Sequence, residues 1–174
     1  MSDGFALIST DYIMKYLLRA YDGDEYAKEK IHIAATLGGM AINDAGTTVI
    51  HAVGYYLTTH HNVHHGLANA LVMPYILEYN LKYVSDEKVG TLLRILGVSS
   101  IQELVKIICR LMDSLGIPDS IADIGFKSNE LDHIARETVG YKRNIANNPA
   151  PVDEAVIKEL VSKALLGRSK VYGS

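Results

Sequence analysis

Histidines are the residues of this chain whose type and spacing most directly suggest chemistry. Five of the seven histidines lie between His51 and His65, in the stretch HAVGYYLTTHHNVHH. A neutral imidazole is a common ligand for transition metals, and two histidines four positions apart on a helix can hold one ion. By this spacing the candidate pairs are His60 with His64 and His61 with His65.

The same histidines also have an interpretation without a metal. Polar histidines just before Gly66 can end a helix and face solvent, and neither an HExxH motif nor a nearby cysteine strengthens the metal hypothesis. His51 lies in the apolar stretch AGTTVIHAVGYYL, where a hydrogen-bonded core histidine is expected. His32 and His133 stand alone on helices, so structural or exposed positions are expected for both. Spacing alone leaves both interpretations open.

Other kinds of catalytic site find little support in the sequence. Asp44 is the only acidic residue between Glu29 and Glu78, so the local sequence provides no pair of carboxylates for acid and base catalysis. No GxGxxG or GxxxxGK loop for nucleotide phosphates occurs, and the nucleophile elbow of serine hydrolases is absent. We therefore assign no catalytic residue.

Helices are the elements predicted to position the histidines. Apolar residues recur every three or four positions along most of the chain, and strand-like alternation is scarce, which predicts an all-α fold. We expect a kink or a break at Pro74, a loop over 147–151 and a frayed end after Leu166. The predicted helices cover 10–22, 25–43, 46–60, 67–84, 86–97, 101–115, 119–123, 129–139 and 152–166.

Some of these helices carry signals for their ends and their packing. A Thr or Ser cap is expected to open the helix over 10–22, and Gly23 is expected to end it. Small residues on the next helix would let a neighbouring helix approach closely; they are Ala34, Ala35, Gly38 and Gly39. A capping box of Ser100 and Glu103 is predicted to open the helix that Gly116 ends.

Length and composition favour one domain over residues 1–174, since 48% of the 174 residues are hydrophobic. A net charge of −3 gives no basic field for nucleic acid or an anionic membrane, so neither partner is expected. No signal peptide is recognised at the start, and no apolar run reaches the roughly 18–20 residues that span a bilayer. Cys109 is predicted to be a buried thiol, which favours a reducing, cytoplasmic setting.

Several separated stretches resemble one known family. The sequence NDAGTTVIHAVGYYL over 43–57, followed by HGLANALVMPYILEYN over 65–80, resembles the signature of the iron-containing (group III) alcohol dehydrogenases. The stretches over 15–43, 111–126 and 130–165 resemble helices and loops of that family's C-terminal domain, in family order. The resemblance covers nearly the whole chain. It implies an all-helical metal-binding domain that packs against a nucleotide-binding α/β domain.

The resemblance also implies a metal site. In the family, one aspartate and three histidines hold a divalent metal, usually iron and sometimes zinc. The last two histidines fall on His51, in the motif Asn-x-x-Gly-x-x-x-x-His, and on His65, in the motif His-Gly. The other two ligands form an Asp-x-x-x-His pair that is expected before this sequence. Neither Asp3 nor Asp11 has a histidine four residues later.

Two nearby positions depart from the family pattern. Many members carry a histidine near the substrate four residues after the first of these ligands, and this chain has Tyr55 there. The residue before the second ligand is commonly proline and is His64 here. The first exchange weakens any assignment of a proton relay, and the second either alters the turn or adds a nitrogen near the metal position.

The function implied by the resemblance is metal-assisted hydride transfer between an alcohol or aldehyde and NAD(P). The nicotinamide would be bound only by an N-terminal nucleotide-binding domain or chain, so we expect little activity from this chain alone. Two alternatives remain: a non-enzymatic helical protein that self-associates, and a metal binder that uses the HHNVHH cluster. Homo-oligomerisation is expected because a face that normally meets the nucleotide-binding domain would be apolar.

Overall fold

The computed structural model describes residues 1–173, which form ten α-helices and two short 3-10 helices without a strand. This confirms the predicted all-α fold class. No helix within the described part is long and apolar enough to cross a membrane. The helices are α1 (Ser2–Tyr21), α2 (Glu25–Ala45), α3 (Val49–His61), α4 (His65–Leu81), α5 (Asp86–Leu96), α6 (Ile101–Ser114), α7 (Leu131–Gly140), α8 (Lys142–Ala146), α9 (Glu154–Leu166) and α10 (Arg168–Tyr172), and the 3-10 helices are Ile121–Ile124 and Ser128–Glu130.

The described residues group into two compact units. The first unit consists of Met1–Gly46 and Ser85–Ser100, and it contains α1, α2 and α5. The second consists of Thr47–Val84 and the described residues from Ile101 onward, and it contains all the other helices. The single domain predicted over residues 1–174 remains a prediction.

In the first unit, α1 begins earlier than predicted. The helix starts at Ser2 rather than near residue 10. The Thr10 hydroxyl donates a hydrogen bond of 2.8 Å to the Ala6 carbonyl one turn earlier, so Thr10 lies inside the helix instead of capping it. The predicted end is confirmed: α1 stops at Tyr21, and Gly23 follows with a φ of +98°.

Small residues bring α1 and α2 together within the first unit. Ala34 is fully buried, and its carbonyl accepts a hydrogen bond of 2.7 Å from the buried Ser9 hydroxyl of α1. A Cβ on Gly38 would lie 3.2 Å from the same hydroxyl oxygen. The predicted close approach therefore occurs at Ala34 and Gly38, whereas Ala35 and Gly39 are not buried.

The core of the second unit lies between α3, α4, α7 and α9, with α6 packed against α4. The helix α4 continues through Pro74, so the predicted break does not occur. Proline removes one helical hydrogen bond, but the burial of Tyr75 and Ile76 beside it stabilises the helix. Cys109 of α6 is fully buried, as predicted, and burial raises the pKa of its thiol to about 11.

The end of the chain corrects a further expectation. Residues after Leu166 form α10 instead of a frayed segment, and Arg168 is fully buried there. The Arg168 guanidinium donates to Asp113 at 2.7 Å and to the carbonyls of Ile117 and Pro118 at 3.0 and 2.7 Å. Buried charge is stable only when it is paired and hydrogen-bonded, and the two terminal nitrogens of Arg168 meet that requirement, whereas its Nε has no partner among the described residues. Ser174 lies outside the described residues.

Three asparagines position the start of α3, which carries His51. Asn144, on the unpredicted helix α8, donates to the Thr47 hydroxyl at 2.9 Å. Asn148 and Asn80 of α4 exchange two hydrogen bonds of 2.8 and 2.9 Å through their side chains. The loop predicted over 147–151 is confirmed. Its Asn148 side chain accepts a hydrogen bond of 3.4 Å from the backbone N–H of Val49, the first residue of the helix that bears the first candidate ligand.

Candidate metal centre

The two histidines indicated by the family motif lie side by side. His51 is in the first turn of α3, and His65 is the first residue of α4. Their ring centroids are 5.4 Å apart, although fourteen positions separate them in the chain. We call these two residues the histidine pair. An ion with metal–nitrogen bonds of about 2.0–2.1 Å can lie between two imidazoles at this separation.

Gly54 allows α4 to approach α3 closely beside this pair. A Cβ at Gly54 would overlap the side-chain oxygen of Asn69 and would lie 3.0 Å from its Cγ. The Asn69 amide nitrogen contacts Nε2 of His65 at 3.0 Å. The Asn69 oxygen is buried and has no hydrogen-bond partner within the described chain. The small residue at position 54 therefore makes room for the side chain that contacts His65.

Tyrosine rings form one side of the histidine pair. The Tyr55 ring stacks on His65, with centroids 5.6 Å apart and an interplanar angle of 16°. The Tyr141 ring centroid is 5.2 Å from that of Tyr55. Burial, together with the charge and hydrogen bond of Glu137, raises the pKa of Tyr141. Tyr55, which replaces the histidine found in many family members, thus stacks on one face of the second candidate ligand, which is otherwise exposed.

The environment of His51 favours the form of imidazole that binds metals. Burial disfavours its positive charge, and repulsion from His65 acts in the same direction, so the pKa of His51 lies below its ordinary value. Only neutral imidazole has a free lone pair for a metal, and His51 therefore needs less proton displacement than a solvated histidine would.

The HHNVHH stretch is not one group of ligands. The helix α3 ends at His61 and α4 begins at His65, so neither of the pairs proposed from spacing lies within one helix. Asn62 has a left-handed backbone with a φ of +52°, which turns the chain between the two helices. His61 contacts Glu130 at 3.0 Å and His60 contacts Glu137 at 3.0 Å.

A second group of potential ligands joins α3 to α7. His60, His133 and Glu137 each offer one ligand atom, and these atoms all lie within 4.8 Å of one another. We call this group the α3–α7 cluster. It is the only such group of three or more histidine, cysteine or acidic residues among residues 1–173. His133 was predicted to be structural or exposed; it is exposed, but its spacing of four from Glu137 was a signal that sequence reasoning missed.

Comparisons with known proteins identify the family. Residues 1–165 match the model of the Fe-containing alcohol dehydrogenase family, C-terminal. The chain belongs to this family. An alcohol dehydrogenase of Thermococcus barophilus is 30% identical over 168 residues, which are 94% of this chain and 43% of that protein. A 1,3-propanediol dehydrogenase of Citrobacter freundii is 29% identical over 79% of this chain and 37% of that protein.

Solved structures share the fold of this chain. A 1,3-propanediol oxidoreductase matches with a TM-score of 0.87 and 26% identity, over 94% of this chain and 45% of that one. The iron-containing alcohol dehydrogenase from Thermococcus thioreducens matches with a TM-score of 0.85 and 28% identity, over 95% of this chain and 44% of that one. This chain therefore spans less than half the length of these relatives.

The histidine pair fits part of the metal site expected in this family. Two adjacent imidazoles suit iron and zinc, and the lowered pKa of His51 keeps one of them in its ligating form. Within the described residues, no carboxylate, thiol or further imidazole groups with the pair as a third ligand. The residues present therefore fit as two ligands of an ion that needs others to complete its coordination.

Proposed function

We propose that this chain provides the metal-holding helical part of an alcohol dehydrogenase that exchanges hydride between an alcohol or aldehyde and NAD(P). The observation that carries the proposal is the separation of 5.4 Å between the rings of His51 and His65. These are the two positions that the family motif indicates. The match to the family over residues 1–165 supports the same reaction class.

Each residue around the histidine pair has a part in this proposal. His51 and His65 hold a divalent iron or zinc ion, which acts as a Lewis acid toward the oxygen of the substrate when it is bound. Asn69 contacts the His65 ring from the side of α4. Tyr55 stacks on one face of the exposed His65 ring and limits the directions in which that ring can turn.

The remaining parts of the site are proposed to come from elsewhere. The 174 residues contain no glycine-rich loop for a nucleotide phosphate, so the nicotinamide is held by a nucleotide-binding α/β domain or chain. The same partner provides the two missing ligands, an aspartate and a histidine. Two imidazoles alone bind an ion weakly, so this chain without its partner is expected to be nearly inactive.

Metal titration of the purified chain tests the ligand assignment. Binding of Fe²⁺ and Zn²⁺ should weaken in the His51→Ala and His65→Ala variants. It should be unchanged in His32→Ala, because His32 is an exposed histidine in the other unit. Loss of binding in His61→Ala alone, with none in His51→Ala, would show that the assignment is wrong.

Nicotinamide-dependent alcohol oxidation tests the reaction class. The activity should appear only when the metal-loaded chain is combined with a nucleotide-binding α/β domain that ends in an Asp-x-x-x-His motif. Removal of that domain or of the metal should abolish it. Full activity of the mixture with both His51 and His65 replaced by alanine would contradict the proposed role of this chain.

A second candidate is a non-enzymatic protein that self-associates. Within the first unit, α1 and α2 expose a set of large apolar side chains, which favours contact with another protein surface. These side chains are Ile8, Leu18, Tyr21, Tyr26, Ile33, Met40 and Ile42. Light scattering distinguishes the outcomes, because a clean monomer at high concentration would contradict self-association.

A further inference from the structure

The α3–α7 cluster has the ligand chemistry of a metal site that the family motif does not include. Its three residues offer two imidazoles and one carboxylate from two helices. A tetrahedral zinc ion with bonds of about 2.0–2.2 Å needs donor atoms about 3.4 Å apart. Nε2 of His60 and Oε2 of Glu137 are already 3.0 Å apart. Small side-chain rotations would therefore bring all three donors onto one ion.

A hydrogen-bond network through the buried Tyr56 holds His133 ready to bind a metal. The hydroxyl of Tyr56, a residue with only 2% of its surface exposed, lies 3.3 Å from Oε2 of Glu130 and 2.9 Å from Nδ1 of His133. An ionised carboxylate cannot donate, so the phenol donates to Glu130. Nδ1 of His133 must then donate to the phenol oxygen. This leaves the lone pair of His133 on Nε2, the arrangement found when a second group orients a metal-binding histidine.

Three hydrogen bonds hold the Glu130 carboxylate as the acceptor in this network. Its carboxylate accepts hydrogen bonds from the Lys127 backbone at 2.8 Å and from His61 at 3.0 Å, in addition to Tyr56. Burial opposes the ionisation of Glu130, but these hydrogen bonds and the His61 charge outweigh it and lower the pKa.

The position of the cluster also favours a cation. His60 lies in the last turn of α3, where the helix dipole places partial negative charge. His133 and Glu137 are four residues apart on α7, so they share one face of that helix. Exposed His60 and His133 leave the position open to ions from solvent, and water can complete the coordination.

We propose that His60, His133 and Glu137 bind a second divalent transition-metal ion, separate from the histidine pair, and that this ion joins the end of α3 to α7. Two nitrogens and one carboxylate oxygen select zinc-like ions over Ca²⁺ and Mg²⁺, which prefer oxygen ligands. The ion stabilises the fold by binding the native state, in which the two helices are adjacent. This inference does not depend on the proposed function.

Zn²⁺ titration by calorimetry tests the second site in a chain whose histidine pair has been removed. The His51→Ala/His65→Ala variant should still bind one Zn²⁺ per chain, and Zn²⁺ should raise its melting temperature. Addition of His133→Ala or Glu137→Gln to that variant should weaken binding at least about tenfold and remove the thermal shift. Glu154→Gln, which changes an exposed glutamate of α9, is the matched control and should have no effect.

The two metal sites fail in distinguishable ways. Absence of Zn²⁺ binding to the His51→Ala/His65→Ala variant would overturn the second site, whatever the native chain binds. Unchanged binding after both His133→Ala and Glu137→Gln would also overturn it, because the ion would then lie elsewhere. Circular dichroism without metal shows whether each variant is folded, and Glu137→Gln keeps the size of the side chain should His133→Ala not fold. The proposed function would fail if the wild-type chain and the His51→Ala/His65→Ala variant bound metal equally well.

Discussion

The histidine pair and the α3–α7 cluster both use α3, but they offer different environments to an ion. The pair contains two nitrogen donors beside a wall of tyrosine rings, and its coordination is incomplete. The cluster contains three donors, including a carboxylate, and a polar network orients one of them. An incomplete site against aromatic rings leaves room for a substrate and for ligands from a partner. A more complete site that joins two helices suits a structural ion.

The difference shows that a family motif and a full set of ligands need not coincide. The pair is recognised because its residues stand in the family pattern, yet the described residues add no third ligand to it. The cluster has no such pattern, and its donors meet only because α3 packs against α7. Four substitutions separate the two sites experimentally, beginning with one that should affect both.

Arg168→Met should have the largest effect, because it loosens the unit on which both sites depend. The buried guanidinium bonds Asp113 and two carbonyls of the preceding loop, and methionine leaves these groups without a donor. We expect the free energy of unfolding to fall by about 2–5 kcal/mol, measured by chemical denaturation, because two carbonyls lose their donor while the partly exposed Asp113 can be solvated. Lys170→Met, at an exposed position of the same helix, should change it by less than about 0.5 kcal/mol. Equal stability of the two variants would contradict the role assigned to Arg168.

Gly54→Ala should weaken the histidine pair and leave the cluster intact. The new methyl group would overlap the Asn69 side chain, which must move away from His65. We expect a loss of about 1–3 kcal/mol in the free energy of unfolding, together with weaker metal binding at the pair. Asn69→Ala in the same chain should recover part of the stability, because it removes the overlapping atoms. Strictly additive effects of the two substitutions would argue against this contact.

Tyr56→Phe should weaken metal binding at the α3–α7 cluster and leave the histidine pair intact. Loss of the hydroxyl removes the group that holds His133 in its ligating tautomer, so Zn²⁺ affinity at the cluster should fall about tenfold, or about 1.4 kcal/mol. Affinity at the histidine pair should not change. Tyr55→Phe is the control, since the Tyr55 ring lies against the pair rather than the cluster. If Tyr56→Phe and Tyr55→Phe lowered the Zn²⁺ affinity of the cluster equally, the proposed hydrogen-bond network would be contradicted.

Glu130→Gln should give the smallest effect, which appears as a dependence on pH. The pKa of Glu130 is lowered in the folded chain from an ordinary value of 4.5, so the unfolded state binds more protons in acid. The stabilisation is complete above pH 4.5 and is lost as the pH falls through the folded value. At pH 6 the variant should lose about 0.2–1 kcal/mol of unfolding free energy, the range of a partly exposed ion pair.

Denaturation at pH 6 and at pH 3.5 measures this effect. Between pH 6 and pH 3.5, the free energy of unfolding of Glu130→Gln should fall less than that of the wild type. The matched Glu154→Gln variant should follow the wild type, because Glu154 is exposed and outside the network. If the free energy of unfolding of Glu130→Gln fell as much between pH 6 and pH 3.5 as that of the wild type, other carboxylates would account for the pH dependence.

Local sequence patterns predicted most helices but not their ends. The period of apolar residues predicts burial on one face, and glycines such as Gly23 and Gly116 end helices because they adopt a positive φ. Thr10 was misread because its hydroxyl serves a cap or an internal hydrogen bond equally well in sequence. Tertiary packing decided between them. Likewise, the burial around Pro74 carries α4 through a residue that usually breaks helices.

The sequence by itself determined the all-α class, the family and the two histidines of the pair, because these depend on local periodicity and on motifs within about fifteen residues. Only the tertiary structure decided that His60 meets Glu137 and that Arg168 is buried, since their partners lie 77 and about 50 positions away. Periodicity within a helix reports which face is apolar. It does not report which polar side chains of another helix will face the same point, because that depends on how the helices pack.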